Sequence, residues 1–412
     1  MAESRRLDGL LKPAIRIYKS TKQRKTMKTT LILGGGLGGI TLARELNKKS
    51  GNDEDGIVSK IVLFEKNDSS LYSPSLTWLM VGKRESHQIQ EKLSKTALGG
   101  IEVVQGEISS VDPKAKKVTV DGKEYQGDSM VISLGVAYDS LPDLEDIGHN
   151  FYSLQGAEGF YEQLKTFEEG NIAVVVSSLP FKSPVAPYEA ALLVDSYLRN
   201  KGIREKATIS LFTPETEPME FASDEISGEV KRLMTEKGIK YHPNHTYKAV
   251  EEGKLVFDSS DGSQKSADVD LLAYTPKHKL PDFITDAGLA GDSGWIDVNS
   301  NTLETDFDDV YAIGDIISLE LEDDKCLPKA GVFAQYQAKT VAHNISRKQA
   351  GLEPNEVFHA KGSYVLEQGD NQATKVGGDF QLSELDIKGS GMFKHWEKVI
   401  DEKMWFIKNF DR

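Results

Sequence analysis

The sequence predicts an α/β chain of two Rossmann-like dinucleotide-binding domains, followed by a small C-terminal piece with an amphipathic helix. Three observations predict it. A short apolar strand at 27–33 feeds a glycine turn, and the helix-like stretch ITLARELNKK follows at once. A second strand–helix–strand series repeats that order, with NIAVVVSS from 171, EAALLVDSYLRNKG from near Glu189 and ATISLFTP from 207. At 412 residues, the chain is too long for one ordinary domain.

The turn LGGGLGGI sets Gly34, Gly36 and Gly39 at G-x-G-x-x-G spacing, with Leu37 and Gly38 inside it. Gly34 allows the tight turn, Gly36 lets a pyrophosphate approach the backbone, and Gly39 lets the helix pack close on the strand. The helix start offers unpaired N–H groups and partial positive charge to that pyrophosphate. The next strand, KIVLFEKND, ends in Glu65, whose carboxylate suits ribose hydroxyls, and Lys66 follows it. The polar stretch SGNDEDG at 50–56 reads as a surface loop that lengthens the interval to Glu65. The turn by itself does not distinguish FAD from NAD.

With 39% apolar and 28% charged residues, the composition is that of a globular protein. A net charge of −14 excludes general nucleic-acid binding. No stretch approaches the length of apolar sequence that spans a bilayer, so no transmembrane helix is expected. A single cysteine, Cys326, excludes an intramolecular disulfide and fits a reducing cytoplasm. No metal-ligand cluster is predicted. Residues 1–27 form a basic tail without a secretory core; an upstream extension, a plain tail and an anionic-membrane contact are the competing readings.

The segments divide the chain into a first dinucleotide domain at 28–140, a second at 141–293, the return of the first at 294–350, and a C-terminal region at 351–412. Residues 101–135 alternate in β fashion, with Asp121-Gly122 as a hairpin turn. Helices are expected at 158–168, from Glu189, at 224–238 and after the Pro-Lys loop at 328–329. Strands are expected near 357–382, before a last helix.

GGGLGG, VISLG at 131–135 and VYAIGD at 310–315 together resemble the flavoprotein disulfide reductase superfamily with two dinucleotide domains. Within it, YSPSL at 72–76, PFKSPVAPYEAA at 180–191 and LPKAG at 327–331 look like sulfide:quinone oxidoreductase and the flavin subunit of flavocytochrome c sulfide dehydrogenase. The resemblance implies FAD in the first domain. Gly34, Gly36, Leu37, Gly38, Gly39, Glu65, Lys66, Ser73, Pro74, Gly135, Gly314, Asp315, Lys329 and Ala330 would line its site. Asp315 would hold the ribityl or pyrophosphate part, and Lys329 would stabilise the reduced ring system. No cysteine lies near the early loops, so noncovalent FAD is expected. Catalytic roles are expected of Glu189 and Lys329, and of Cys326 if it reaches the flavin; otherwise Cys326 reads as an inert buried thiol.

The departures from that family bear on the electron donor. Where the resemblance implies two redox cysteines, this chain has Ser183 and Ser363, and a serine hydroxyl forms neither persulfide nor disulfide. The expectation is therefore a quinone-reducing flavoprotein, fed by a small-molecule donor, without the two-cysteine sulfide relay. Type II NADH:quinone dehydrogenase is the alternative, disfavoured because SSLPFKSPVAPYE replaces the second glycine turn with prolines that have no N–H to give a phosphate. A flavin-bearing partner protein without catalysis is a further alternative. In the last helix Phe393, Trp396, Ile400, Met404 and Ile407 form an apolar face that Trp405 and Phe406 widen, while Lys394, Glu397, Lys398, Glu402 and Lys408 lie off it. That face suits a lipid surface; a core-packed helix or a homodimer contact are the alternatives. The expected location is the cytoplasm, peripheral on the membrane face, where quinone is reached.

Overall fold

The computed structural model describes residues 27–50, 58–96, 99–321 and 325–410. The basic tail at 1–26 and most of the predicted loop at 50–56 lie outside the described residues.

Two parallel sheets form the frame. The first runs in the order Val310–Ala312, Ser129–Ile132, Met27–Leu33, Val58–Glu65, Ile101–Gln105. Its strands are near-continuous apolar runs because both faces of the sheet are covered, the ring of Tyr125 lying 5.0 Å from that of Phe64. Leu31, Ile32, Leu33, Ile61, Leu63, Met130, Val131 and Ile132 are all buried. The second sheet runs His149–Asn150, Leu271–Thr275, Gly170–Val176, Ala207–Phe212, Ile239–His242, again all parallel. Val310–Ala312 thus returns to the first sheet after the whole second sheet has intervened in sequence.

Local chemistry explains several element ends. Ser153 caps the helix Leu154–Thr166 by accepting the Gly156 N–H, and Gly202 closes Ala186–Lys201 in the left-handed conformation at φ 75°. Asp121 and Gly122, at φ 46° and 77°, make the expected hairpin turn between Lys117–Val120 and Lys123–Gln126. Three antiparallel strands, Lys361–Gly369, Gln372–Asp379 and Glu384–Gly391, carry the C-terminal region. The third was not expected: its alternation ELDIKGSG is mostly exposed and glycine-containing, so it shows little hydrophobic signal.

The tail helix Met392–Asn409 carries the expected stripe facing outward, as a lipid-facing surface requires: Phe393 is 85% exposed, Ile407 62%, Ile400 55%, Trp396 50% and Met404 38%. Lys398 and Glu402, which lie off the stripe, are buried with His395 and Asn409. One part of the sequence reading is corrected: Trp405 and Phe406, expected to widen the stripe, face inward. Paired charges make this burial stable. Glu402 accepts hydrogen bonds from Arg84 Nε at 3.0 Å and Ser75 Oγ at 2.6 Å. His395 Nδ1 meets Glu367 at 2.9 Å, and Lys398 Nζ donates to Glu189.

Removing one member of a buried pair leaves its partner desolvated, at a cost of about 3 kcal/mol. Glu402→Ala is therefore expected to lower unfolding stability by about that amount in chemical denaturation. A change of less than about 0.5 kcal/mol, the usual size for a surface substitution, would show that the helix is not held this way.

Candidate functional site

The glycine turn is built as its spacing requires. Gly34 sits at φ 106°, and a Cβ there would lie 2.4 Å from the Ser133 carbonyl oxygen. A Cβ on Gly39 would lie 1.9 Å from the Gly34 oxygen, so only glycine lets the helix Leu37–Ser50 start this close to the strand. A Cβ on Gly38 would lie 2.7 Å from Ser133 Oγ, whereas one on Gly36 would meet nothing within 4 Å. Gly36 therefore faces open space at a helix N-terminus, the cradle a pyrophosphate needs.

Glu65 faces this turn. Its Oε2 accepts the Gly35 N–H at 2.8 Å, and its Oε1 accepts the Asn67 backbone N–H at 3.1 Å and Nδ2 at 2.8 Å. Each carboxylate oxygen keeps acceptor capacity for a ribose hydroxyl. The carboxylate thus braces the glycine loop as well as facing the cleft.

A continuous cleft of about 950 Å³ leads from here through the molecule. Gly34, Gly36, Leu37, Gly38, Glu65 and Lys66 line one end. Ser73, Pro74, Gly135, Gly314, Asp315, Lys329 and Ala330 line its middle, and Glu189 and Lys398 join it beneath the tail helix. Gly39 acts from behind the lining. Cys326 is not brought to the cleft: it is exposed, 3.7 Å from Ser318 Oγ, which corrects the expectation of a buried thiol. Ser183 and Ser363 do line the cleft.

Asp315 carries the main sign of a missing group. Its Oδ1 is buried with no hydrogen-bond partner among the described residues. Burial raises its pKa, while Lys182 and Lys329 oppose the rise. Gly314, at φ 82°, donates its N–H to Gln337 Oε1 at 2.7 Å and so holds the turn open. An unmet acceptor in a polar cleft that also holds an open glycine cradle fits a dinucleotide-type flavin whose hydroxyls donate to that carboxylate.

Lys329 lines the cleft, as expected, with its ammonium already engaged. Its Nζ donates to the carbonyl oxygens of Asp315 at 2.8 Å and Ile317 at 2.7 Å, and lies 3.5 Å from the centre of the Trp295 ring. Burial lowers its pKa to about 8, against the opposing pull of Asp315. Lys182 was missed by the sequence reading, although it lies inside the PFKSP segment. It lines the cleft with its Nζ 5.5 Å from the Tyr138 ring centre and 5.8 Å from that of Tyr152.

Glu189, at the first turn of Ala186–Lys201, is buried and accepts hydrogen bonds from Thr77 Oγ1 and Lys398 Nζ. Burial raises its pKa, and Lys398 pulls the other way. The second sheet has its own acid just past a strand, Glu215, in a place like that of Glu65. There the resemblance ends. Tyr188 from the helix start donates its hydroxyl to Glu215 Oε2, which also accepts Thr213 Oγ1 at 2.9 Å. Glu215 Oε1 takes the Met219 N–H at 3.2 Å. The carboxylate is only 4% exposed, and burial raises its pKa to about 7. A side chain thus fills the space where a second nucleotide ribose would meet its acid.

Two parallel sheets, a glycine cradle and an unpaired carboxylate across the cleft define a dinucleotide-binding protein of the flavoprotein type. The chain belongs to the pyridine nucleotide-disulphide oxidoreductase family, whose profile matches residues 28–338. It is 28% identical over 304 residues to the mitochondrial sulfide:quinone oxidoreductase of Mus musculus, covering 70% of this chain and 65% of that protein. It is 21% identical over 399 residues to the type II NADH:quinone oxidoreductase of Staphylococcus saprophyticus, covering 92% of this chain and 95% of that protein. The crystal structure of sulfide:quinone oxidoreductase from Aquifex aeolicus superposes with a TM-score of 0.83 at 22% identity, covering 92% of this chain and 91% of that one.

Gly36, which faces the cleft, and Gly39, which is buried behind it, separate binding from folding. Gly36→Val should fold with an unchanged circular dichroism spectrum yet purify without absorbance near 450 nm, because its side chain occupies the cradle. Gly39→Ala should fail to yield folded protein. Full flavin content in Gly36→Val would contradict the cradle.

Proposed function

We propose that the protein is an FAD-dependent oxidoreductase that passes electrons from a small-molecule donor to a membrane quinone, with the FAD held noncovalently. The observation that carries this reading is the continuity of the cleft. It joins the glycine cradle and Asp315 to Glu189 and Lys398, and Lys398 belongs to the helix whose other face is apolar and exposed. When bound, FAD supplies two-electron redox chemistry. The chain's own residues do the rest: the cradle takes the pyrophosphate, Glu65 takes a ribose hydroxyl, and Asp315 takes a hydroxyl of the ribityl chain. Glu189, whose pKa burial raises, takes up and releases a proton at the quinone end, and Lys398 fixes its position.

Two observations narrow the donor. Ser183 and Ser363 line the cleft where the family resemblance implies cysteines, and the only thiol lies outside it. Sulfide oxidation by a two-cysteine relay is therefore not available. The Tyr188–Glu215 contact and the proline-filled turn after Val176 leave NADH no site of the usual kind.

The tail helix is the membrane contact. Among the described residues no helix is long and apolar enough to cross a membrane. An exposed apolar stripe on a helix anchored by its polar side instead favours lying in a lipid interface, which makes the protein peripheral.

Holoprotein reduced with dithionite is expected to be reoxidised by a short-chain quinone in stopped flow, while NADH and NADPH leave the oxidised flavin unbleached. Slow reoxidation, no faster than by buffer oxygen, would overturn the reading; bleaching by NADH would favour the type II dehydrogenase alternative. Separately, Phe393→Asp combined with Ile400→Asp and Ile407→Asp should abolish liposome co-sedimentation. The variant should still reoxidise with the soluble quinone. Unchanged sedimentation would contradict the lipid role.

A further inference from the structure

We propose that His395 and Glu367 are positioning residues for the proton that Glu189 carries, the imidazole setting, through the Glu367 carboxylate, when Glu189 is protonated. This rests on the reading of Glu189 as the proton carrier at the quinone end and names the groups that govern it.

Glu189, Lys398, Glu367 and His395 form one buried cluster. The Glu367 N–H, from the strand Lys361–Gly369, donates to Glu189 Oε2 at 3.4 Å. Glu189 Oε1 accepts Lys398 Nζ and Thr77 Oγ1. The Glu367 carboxylate is fully buried and meets His395 Nδ1 with both oxygens, at 2.9 and 3.0 Å. Two carboxylates thus share one ammonium, and the imidazole decides whether the cluster is neutral or carries a net negative charge. The charges that reach the tail helix from the other elements packed against it are paired elsewhere: Arg84 with Glu402 at 3.0 Å, Lys375 with Glu397 at 2.8 Å and Arg44 with Glu45 at 2.8 Å. On the cleft side Tyr152 is within electrostatic reach of Glu189, and burial keeps its phenol protonated.

Burial raises the pKa of Glu189 most; Lys398 opposes the rise, and the Glu367 charge adds to it. The Glu367 carboxylate can only accept, so it takes the Nδ1–H of His395 and leaves Nε2 to bind or release a proton. His395 is 8% exposed and its neighbour Trp396 is 50% exposed, which sets the imidazole at the rim of the cluster. Imidazole is also the side chain that ordinarily titrates near neutral pH. Reduction of a quinone to its quinol takes two electrons and two protons. Glu189 supplies one proton, and the other arrives with the two electrons from the reduced flavin. Glu189 is then a second carboxylate beside Glu367, and His395 balances the new charge by taking a proton from solvent at Nε2. It releases that proton when Glu189 takes its next one from water in the cleft.

The test is a pH titration of the flavin-loaded protein followed by infrared spectroscopy, with the protonated-carboxyl band of Glu189 identified as the part missing from Glu189→Gln. Glu367→Gln keeps an acceptor for the imidazole N–H but removes a negative charge, so the Glu189 midpoint should move to lower pH by about one pH unit or more. His395→Asn leaves the Glu367 charge unbalanced and should move the midpoint to higher pH. In the double variant the His395→Asn effect should vanish, because it acts through Glu367, and the midpoint should match that of Glu367→Gln alone. The pH above which a short-chain quinone reoxidises the reduced protein more slowly should follow the same order. Circular dichroism and flavin absorbance check that each variant folds; if His395→Asn does not, the Glu367→Gln midpoint decides. An unchanged midpoint in Glu367→Gln, or shifts of the same sign in both single variants, would overturn the proposal. Wild type that quinone fails to reoxidise would defeat the quinone reading, and the infrared midpoints would still judge the coupling.

Discussion

The structure depends on a helix turned the unusual way round. In most surface helices the apolar stripe is buried and the charges are left in water. Here the tail helix buries Lys398, Glu402 and His395 and leaves Phe393, Ile400 and Ile407 outside. Buried charged and polar groups are tolerable only when paired, so each of these residues needs a fixed partner in the body of the protein. Glu189, Arg84 and Glu367 supply those partners. One of them, Glu189, also lines the cleft, so the contact that docks the helix shapes the end of the redox site.

The same economy of contacts organises the first sheet. Gly34 and Gly39 bring helix and strand together at backbone distance, and Glu65 braces the loop they make. Val310–Ala312 then rejoins that sheet and delivers Gly314 and Asp315 close to the glycine turn, where a Cβ on Gly38 would lie 3.3 Å from Ile313. The second sheet repeats the strand–helix–strand plan, but with Tyr188 bonded to the acid that follows its second strand. Repetition of a fold has thus kept the frame while one of its two crevices has been filled by protein.

Much of the site was legible in the sequence because its signals are local. The glycine spacing, Glu65 at a strand end and Asp315 after Gly314 each depend on neighbours within a few residues. What the sequence did not show depends on distant partners. Lys398 and Glu402 look like solvent-facing residues on a helical wheel, and only Glu189 and Arg84, far off in the chain, make burial favourable. The pinned ammonium of Lys329 depends on Trp295 and on two carbonyls, and the setting of Lys182 on Tyr138, Tyr152 and Asp315 from other elements. The strand Glu384–Gly391 was hidden for a different reason: an exposed edge with few apolar residues leaves hardly any periodic pattern to read.

A single cleft joins the dinucleotide cradle to Glu189 and Lys398 under the tail helix. A crystal structure of the flavin-loaded protein soaked with a short-chain quinone should therefore show FAD lying between the Gly36 cradle and Asp315, with the quinone head group beside Glu189 and Lys398. Quinone bound away from the tail helix, or Asp315 making no contact with the cofactor, would contradict it.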